Sequence, residues 1–394
     1  MRLLPLSALS VLAFTVGCRD DTRPPTEPAS EPALAAAATA PLVFRQVSGG
    51  GAQTCGVTTD DRAFCWGSND SKLGNGTVPD SPTPVEVSGG LRFRSLSVGL
   101  SHACGVTTDD RAFCWGSNSW GQLGDGTGER TLRRFVPVAV LGGLAFREVS
   151  AGYHHTCGRT TANLVYCWGH NLAGQLGDGT TTDRLTALPV AGGRRFRQVS
   201  AGGQHTCALT PDDEAFCWGN GRSGQLGDAS EPVLRKRPAR VSGGLKFRQI
   251  DAGGSHTCAM ATDNRAYCWG FAHLGQIGDG KTLTRFTPRV VVGGHLFSRV
   301  TAGGEHTCGE TTANRVFCWG RNLEGQLGDG TSGNTRLRPV AVQGGLTFTQ
   351  LSTGDVHTCG NTAAGARCWG WNLYGQVGDG TTMDRALPTP VLGP

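Results

Sequence analysis

The sequence predicts an all-β propeller that is built from seven repeats of one unit. A Cys-Trp-Gly motif occurs seven times, and the cysteines of successive motifs lie 49, 53, 50, 51, 50 and 50 residues apart. Self-similarity at a fixed period near 50 residues is the signature of a repeat architecture. Short apolar and β-branched segments alternate with turns and show no helical periodicity, which is typical of propeller blades. The 61 glycines fall at repeating positions, so we interpret them as turn residues.

The fifth copy shows the strands that we expect in one unit. Segment 246–250 is a first strand, and segments 256–261 and 266–270 form a hairpin. A glycine-rich loop at 274–280 leads to a fourth strand at 288–292. Each blade is therefore expected to contain about four antiparallel strands.

Two cysteines face each other in every predicted hairpin. They lie ten residues apart in six copies and nine apart in the seventh, where the turn is shorter by one residue. Directly opposed residues of an antiparallel pair are close enough for a disulfide, so we predict one hairpin disulfide per blade. Buried free thiols are the alternative. The predicted pairs are Cys55–Cys65, Cys104–Cys114, Cys157–Cys167, Cys207–Cys217, Cys258–Cys268, Cys308–Cys318 and Cys359–Cys368.

The N-terminal residues predict export. Arg2 precedes an apolar run at 3–16 that is too short to cross a bilayer, and we interpret residues 1–17 as a signal peptide. The run Thr-Val-Gly-Cys at 15–18 resembles the lipobox of bacterial lipoproteins, although that motif usually begins with Leu. The resemblance implies a lipid on Cys18, the one cysteine that the seven pairs leave over. Ordinary cleavage further along the chain, which would remove Cys18, is the alternative.

Residues 18–41 are rich in Pro, Ala, Glu, Thr and Ser and contain no aromatic residue. Such a segment cannot bury enough apolar surface to become ordered, so we interpret it as a tether. The predicted location is the bacterial cell envelope, lipid-anchored outside the cytoplasm, where disulfides form and persist. The propeller itself is expected to occupy residues 42–394.

The repeated motifs resemble those of a known family. Gly-Gly-x-His-Thr-Cys, Cys-Trp-Gly-x-Asn, Gly-Gln-Leu-Gly-Asp-Gly-Thr and a later Pro-Val resemble the regulator of chromosome condensation repeat across residues 42–394. The resemblance implies a seven-bladed propeller, and the family includes a secreted beta-lactamase inhibitory propeller protein. The paired cysteines depart from the nuclear and cytoplasmic members. This departure argues against a nuclear, chromatin or small-GTPase role.

Three repeated residue types have structural interpretations. We interpret the tryptophan of each motif as packing between blades; stacked binding aromatics are the alternative. A histidine lies two residues before the first cysteine in six copies, with Gln53 in the first, and we expect it to bond a neighbouring loop rather than form a metal ring. Gly-Asp-Gly-Thr is interpreted as a tight turn rather than a calcium loop. No cofactor is predicted.

The charge of the chain is mild. There are 36 basic and 31 acidic residues, so the net charge is +5. The short basic runs at 133–134, 194–195 and 235–237 are scattered among the repeats, whereas nucleic-acid binding needs a concentrated basic face. We therefore predict no nucleic-acid partner. We also expect the chain to close its ring by strand exchange, with segment 43–47 completing the blade that ends at 387–391.

The loops after Cys-Trp-Gly differ between copies, and a regular scaffold with irregular loops is typical of recognition surfaces. We predict a non-enzymatic monomer that binds a protein partner in the envelope or extracellular space. A glycan-binding or hydrolytic propeller and a purely structural envelope protein are the alternatives. Large aromatic and arginine side chains concentrate binding energy. The predicted partner-binding residues are Phe271, Arg321, Trp371 and Tyr374, which should form one arc, and Trp120 further round.

Overall fold

A computed structural model describes residues 42–129, 132–230 and 233–393. The signal peptide at 1–17, Cys18 and the tether at 18–41 lie outside the described residues. The body forms seven four-stranded antiparallel sheets, which are the blades of a seven-bladed propeller. Within these described ranges, no helix is long and apolar enough to cross a membrane.

Each blade takes four consecutive strands. Blade 1 contains β1 (Phe44–Gly49), β2 (Gln53–Thr58), β3 (Ala63–Gly67) and β4 (Ser81–Glu86); blade 2 contains β5 (Phe93–Val98), β6 (His102–Thr107), β7 (Ala112–Ser117) and β8 (Arg133–Ala139); blade 3 contains β9 (Phe146–Ala151), β10 (His155–Thr160), β11 (Val165–Gly169) and β12 (Arg184–Pro189); blade 4 contains β13 (Gln198–Ala201), β14 (His205–Leu209), β15 (Ala215–Asn220) and β16 (Leu234–Arg240). Blade 5 contains β17 (Phe247–Ala252), β18 (His256–Ala261), β19 (Ala266–Gly270) and β20 (Arg285–Val290); blade 6 contains β21 (Phe297–Ala302), β22 (His306–Thr311), β23 (Val316–Asn322) and β24 (Asn334–Ala341); blade 7 contains β25 (Phe348–Thr353), β26 (His357–Thr362), β27 (Gly365–Gly370) and β28 (Arg385–Pro390).

The prediction of ring closure by strand exchange is wrong. Strand β1 pairs with β2 of its own blade, and β28 pairs with β27, so every sheet is one continuous stretch of chain. Blade 7 is already complete because its fourth strand begins at Arg385 and pairs with Gly370. Blades 7 and 1 instead meet face to face, as the other neighbouring blades do.

The predicted hairpin disulfides are confirmed. Each cysteine is paired in register with its partner across the second and third strands, and the two Cα atoms lie 4.0–4.1 Å apart. Residues that tolerate positive φ occupy the hairpin turns. They are Asp61, Asp110, Asn163, Asp213, Asn264 and Asn314 in the six longer turns and Gly365 in the shorter one.

Tryptophans pack between blades, as predicted. Trp115 of blade 2 is fully buried in a cluster with Cys55 and Leu73 of blade 1. Its indole N–H donates to the Lys72 carbonyl of blade 1 at 2.9 Å. The tryptophan therefore joins two sheets through both apolar contact and a hydrogen bond.

A belt of seven backbone hydrogen bonds closes the ring around its channel. The turn between the first and second strands of each blade begins with a glycine, whose carbonyl accepts the amide of the preceding blade's turn at 2.8–3.4 Å. The last of these bonds, from the Asp355 amide to the Gly50 carbonyl, joins blade 7 to blade 1. We call these glycines the belt glycines: Gly50, Gly99, Gly152, Gly202, Gly253, Gly303 and Gly354.

Close approach explains why the belt requires glycine. A Cβ atom on Gly202 would lie 2.5 Å from the Gly253 carbonyl oxygen and 2.6 Å from His205 Cε1. These distances are too short for non-bonded atoms, so a side chain would push blades 4 and 5 apart.

We expect Gly202→Ala to destabilise the fold by roughly 1–3 kcal/mol, the usual cost of overpacking, and to expose the belt amides of blades 3 and 4. Thermal melting and amide hydrogen exchange at Tyr153 and Gly203 measure both effects. The control is Gly243→Ala, where the backbone φ is +89° but no atom lies within 4 Å of the added carbon. That change should leave belt protection intact. Wild-type protection of both amides in Gly202→Ala would contradict the role of the belt.

Candidate functional site

Two sets of loops form one face of the propeller. In every blade the residue that follows Cys-Trp-Gly donates its amide to the turn between the first two strands, at 2.8–3.0 Å. In blade 6, for example, the Arg321 amide donates to the Glu305 carbonyl at 3.0 Å. We call this surface the loop face. It consists of the first turns (50–52, 99–101, 152–154, 202–204, 253–255, 303–305 and 354–356) and the described parts of the loops between third and fourth strands (68–80, 118–129 with 132, 170–183, 221–230 with 233, 271–284, 323–333 and 371–384).

Four of the five predicted partner-binding residues lie in loops of the loop face, and Arg321 lies in the adjoining end of β23. Phe271 stacks on His273 with ring centroids 4.8 Å apart, and Trp371 meets Tyr374 edge-to-face at 5.5 Å. These contacts lie within blade 5 and within blade 7, respectively.

The other two predicted residues make different contacts. Arg321, near the end of β23, forms ion pairs with Glu305 at 3.2 Å and Glu324 at 2.6 Å. Trp120 of blade 2 packs on His170 of blade 3 at 4.6 Å and thus joins two blades. The structure places the five residues on one face, and a shared binding role for them remains a proposal.

Of the exposed apolar residues in these loops, the sequence interpretation named Tyr374 and missed the others. We call six of them the apolar arc, since they lie on the consecutive blades 5, 6, 7 and 1 and are 37–61% exposed. In the described loops of blades 2–4, Leu172 is the one large apolar side chain of comparable exposure, at 63%. A repeated Asn-Leu pair marks three of the exposed leucines in the sequence, because its asparagine is buried and its leucine is exposed. The pairs lie at 171–172, 322–323 and 372–373. The arc consists of Leu283, Leu323, Leu373, Tyr374, Met383 and Val78.

A second missed feature lies at the centre of the loop face. Six of the seven residues that follow a belt glycine line the channel, and four of the seven are also glycine. The other three are Leu100, Tyr153 and Asp355. The Tyr153 hydroxyl crosses the channel mouth and donates to Asp355 Oδ1 at 2.7 Å. Burial first, and then the neighbouring carboxylate, raises the pKa of Tyr153 far above its usual range, so the phenol stays protonated.

A ring of oxygen atoms lies below the mouth. One residue near the end of each first strand accepts the backbone amide of a neighbouring blade through its side chain. Six of these residues carry hydroxyl groups, and Asp251 carries a carboxylate. The ring consists of Ser48, Ser97, Ser150, Ser200, Asp251, Thr301 and Ser352, and it borders a cavity of about 150 Å³.

The repeated histidines join neighbouring blades, but their partner is not a loop as predicted. His155 Nε2 lies 2.9 Å from the Thr206 hydroxyl, on the second strand of the next blade. Thr206 donates its only hydrogen to the Gln175 carbonyl at 2.8 Å, so His155 must be the donor. Trp218 donates to the same carbonyl. The six histidines of this kind are His102, His155, His205, His256, His306 and His357.

Burial keeps these histidines neutral. Burial first, and then the neighbouring His256 imidazole, lowers the pKa of His205 to about 3. Burial alone lowers the pKa of His256 to about 3 and that of His357 to about 4.

The interface between blades 1 and 2 uses different residues. Gln53 stands in place of the histidine, Ala103 in place of the threonine, and Lys72 in place of the glutamine whose carbonyl accepts. Gln53 Nε2 donates instead to the Gly99 carbonyl at 3.2 Å. Because the histidine and its threonine partner are absent together, the pairing is a property of the interface and not of a single blade.

The Gly-Asp-Gly-Thr segments form tight turns. Asp125 Oδ1 accepts the Thr127 amide at 3.0 Å and the Asn118 side chain at 2.9 Å, while Oδ2 accepts Arg134 at 2.9 Å. Burial raises the pKa of Asp125, but the hydrogen bonds from Thr127 and Arg134 outweigh it and leave the pKa below its usual value. Part of the basic run at 133–134 therefore supports a turn. No group of three or more His, Cys, Asp or Glu among residues 42–129, 132–230 and 233–393 could hold a metal ion.

Comparison with known families agrees with this architecture. The RCC1-like domain matches residues 12–307, and two versions of the Regulator of chromosome condensation (RCC1) repeat match residues 313–360 and 297–326. The chain belongs to the RCC1-like family. The resemblance inferred from the repeated motifs is therefore confirmed.

Individual members of the family are distant relatives. Ultraviolet-B receptor UVR8 of Arabidopsis thaliana is 30% identical over 247 residues, which cover 61% of this chain and 44% of UVR8. The chain thus spans less than half the length of that curated relative. Human WBSCR16 has a similar fold with a TM-score of 0.73 and 21% identity, over 79% of this chain and 84% of that one. Prp20p of Saccharomyces cerevisiae has a similar fold with a TM-score of 0.69 and 19% identity, over 79% of this chain and 80% of that one.

The six buried histidines should make the fold acid-sensitive. The unfolded chain takes up protons on these imidazoles below pH ~6.5. In the folded chain the pKa is about 3–4 for five of them, and burial lowers that of His155 well below its usual value. Stability is therefore full above pH ~6.5 and falls as the pH decreases toward 4, by up to ~1.4 kcal/mol per pH unit for each histidine. Urea unfolding with intact disulfides at several pH values measures this slope.

A double variant isolates one histidine pair. His205→Gln with Thr257→Ala copies the residues at the interface of blades 1 and 2 into the interface of blades 4 and 5. We expect the slope of unfolding free energy against pH to decrease by the equivalent of one proton taken up on unfolding. This expectation does not depend on how the variant changes the stability at pH 7.5. An unchanged slope would show that the buried imidazoles do not cause the acid sensitivity.

Proposed function

We propose that the chain is an exported, lipid-anchored propeller that binds a protein partner outside the cytoplasm and has no catalytic role. The apolar arc is the observation that carries this proposal. Large exposed apolar patches on soluble proteins mark interaction sites. Six large exposed apolar residues lie in the loops of blades 5, 6, 7 and 1, against one in the described loops of blades 2–4.

Rigidity of the loop face supports binding. Each outer loop is tied to an inner turn by a backbone hydrogen bond, and each inner turn is tied to the next blade through the belt. A preorganised surface loses little conformational entropy when it binds. Prp20p has the same fold and binds Gsp1p and histones, so the fold can serve as a protein-binding scaffold.

Export agrees with the disulfides. All seven hairpin pairs have the geometry of a formed bond, and such bonds persist in oxidising compartments. The signal-like residues 1–17 and Cys18 lie outside the described residues and are inferred from the sequence.

Affinity capture with matched variants tests the binding surface. Leu373→Ala with Tyr374→Ala removes two exposed side chains of the arc, and Leu172→Ala removes the equivalent leucine of blade 3. We expect wild type and Leu172→Ala to capture the same protein from envelope extract in equal amounts. The double variant should capture at least tenfold less, because truncating central contacts often costs more than 1 kcal/mol each.

All three proteins must show equal melting temperatures for this comparison to hold. Equal capture by the double variant would rule out the arc as the binding site. Loss of the partner by Leu172→Ala alone would place binding on blade 3 and would also contradict the proposal.

Lipid attachment is tested separately. Cells grown with a clickable fatty acid should label wild type and Ser30→Ala, but not Cys18→Ala. Ser30 lies in the same predicted tether and serves as the control. Labelling of Cys18→Ala, or no labelling of wild type, would contradict the lipid anchor.

A further inference from the structure

Three side chains build the channel mouth over glycines of other blades. A Cβ atom on Gly254 would lie 2.7 Å from the Tyr153 hydroxyl, and one on Gly304 would overlap Asp355 Oδ1. A Cβ atom on Gly51 would lie 2.8 Å from Leu100 Cδ1. The glycines at this position therefore leave the room that Leu100, Tyr153 and Asp355 occupy, and the seven blades together form one mouth.

The mouth carries negative charge that no cation balances. The cavity of about 150 Å³ is bordered by Asp251 and Asp355, and none of its described lining residues is Lys, Arg or His. Asp251 accepts hydrogen bonds from the Ser200 hydroxyl at 2.9 Å and the Ala302 amide at 3.0 Å, which are both uncharged donors. Burial raises the pKa of Asp251, although these hydrogen bonds act in the opposite direction.

Another carboxylate of the channel, unlike those at the mouth, has a counter-ion. Glu148 borders the lower section of the channel, and Arg159 lies 2.9 Å from it as a counter-ion. Asp251 is half-buried and borders both the 150 Å³ cavity and the lower section of the channel. Asp355 uses Oδ1 to accept Tyr153, and no described residue bonds its Oδ2.

The surroundings of the mouth point to a protein as the source of the missing cation. The apolar arc lies on the same face, at the rim of blades 5, 6, 7 and 1. At blade 6, Arg321 forms ion pairs with both Glu305 and Glu324, so these three side chains together carry a net negative charge. A partner that covers the arc would place its own residues over an acidic opening.

We propose that the channel mouth is a socket for one lysine or arginine side chain of the protein partner, an inference that rests on the proposed function. The cationic head group would donate to Asp355 Oδ2 and face Asp251, and its apolar stem would pass Leu100 and the Tyr153 ring. Such a charge pair is charge-assisted and partly shielded from water, which makes it a strong contributor to specificity. The Tyr153–Asp355 hydrogen bond holds the carboxylate in place before the partner arrives.

The chemistry of the socket can be tested without the partner. We use n-pentylammonium as a lysine side-chain probe and n-pentanol as its uncharged control, and detect binding to the full chain by saturation-transfer NMR. We expect the ammonium to bind, to weaken as salt increases, and to lose at least tenfold in affinity in Asp251→Asn with Asp355→Asn. Glu129→Gln, an exposed carboxylate elsewhere on the loop face, is the charge control and should bind like wild type. Asp355→Asn alone serves if the double variant does not fold.

Equal binding of n-pentanol, or ammonium binding that persists in the aspartate variants, would overturn the socket. Affinity capture of the protein partner is the second test, and Asp355→Asn should reduce this capture at least tenfold. If capture depends on the apolar arc but is unchanged in Asp355→Asn, the socket proposal fails and the proposed function stands. If ammonium binding depends on both aspartates but no protein depends on the arc, the cation site stands and the proposed function fails.

Discussion

The belt of amide-to-carbonyl hydrogen bonds sets the distance between neighbouring blades, and the other inter-blade contacts depend on it. It brings the belt glycine of one blade so close to the next carbonyl that no side chain fits between them. At that separation a histidine reaches a threonine of the next blade, and a tryptophan reaches the loop carbonyl that the threonine also uses. Six of the seven interfaces therefore contain the same contacts from the channel outward: backbone hydrogen bonds, then the histidine–threonine pair, then the tryptophan and the apolar core. The interface between blades 1 and 2 uses Gln53 in place of the histidine.

The repeat made much of this fold predictable from the sequence. The period, the four strands, the opposed cysteines and the inter-blade tryptophans are all properties of one unit seen seven times. Contacts between units were harder to predict, because a period does not reveal how two blades face each other. The closure of the ring was predicted wrongly for this reason, and so was the partner of the histidines. Small shifts also occurred within a unit: the fourth strand of blade 5 begins at Arg285 rather than at 288, because Arg285 pairs with Gly270 beyond a register shift.

The candidate site lies where the seven repeats differ from one another, and some of its residues can be found from the sequence. Trp120, Phe271, Arg321, Trp371 and Tyr374 were found because they replace small residues in aligned loops. Leu100, Tyr153 and Asp355 replace glycine in the same way, but their meeting at the channel mouth depends on the ring, which brings blade 3 opposite blade 7. The exposure of Leu323 and Leu373 could not be read from their type, since leucines elsewhere in the same loops, such as Leu327, are buried.

The disulfides have a consequence for how the protein can come apart. Every described disulfide joins two neighbouring strands of one blade, so none of them links one blade to another. Only the polypeptide backbone connects the blades covalently, and blades 7 and 1 lack even that connection. A single cut between two blades would therefore leave a nicked protein in two pieces, each with its own oxidised blades, held together by hydrogen bonds and apolar contact alone. Such pieces could be expressed separately and reassociate, which would make this propeller a scaffold for split-protein complementation.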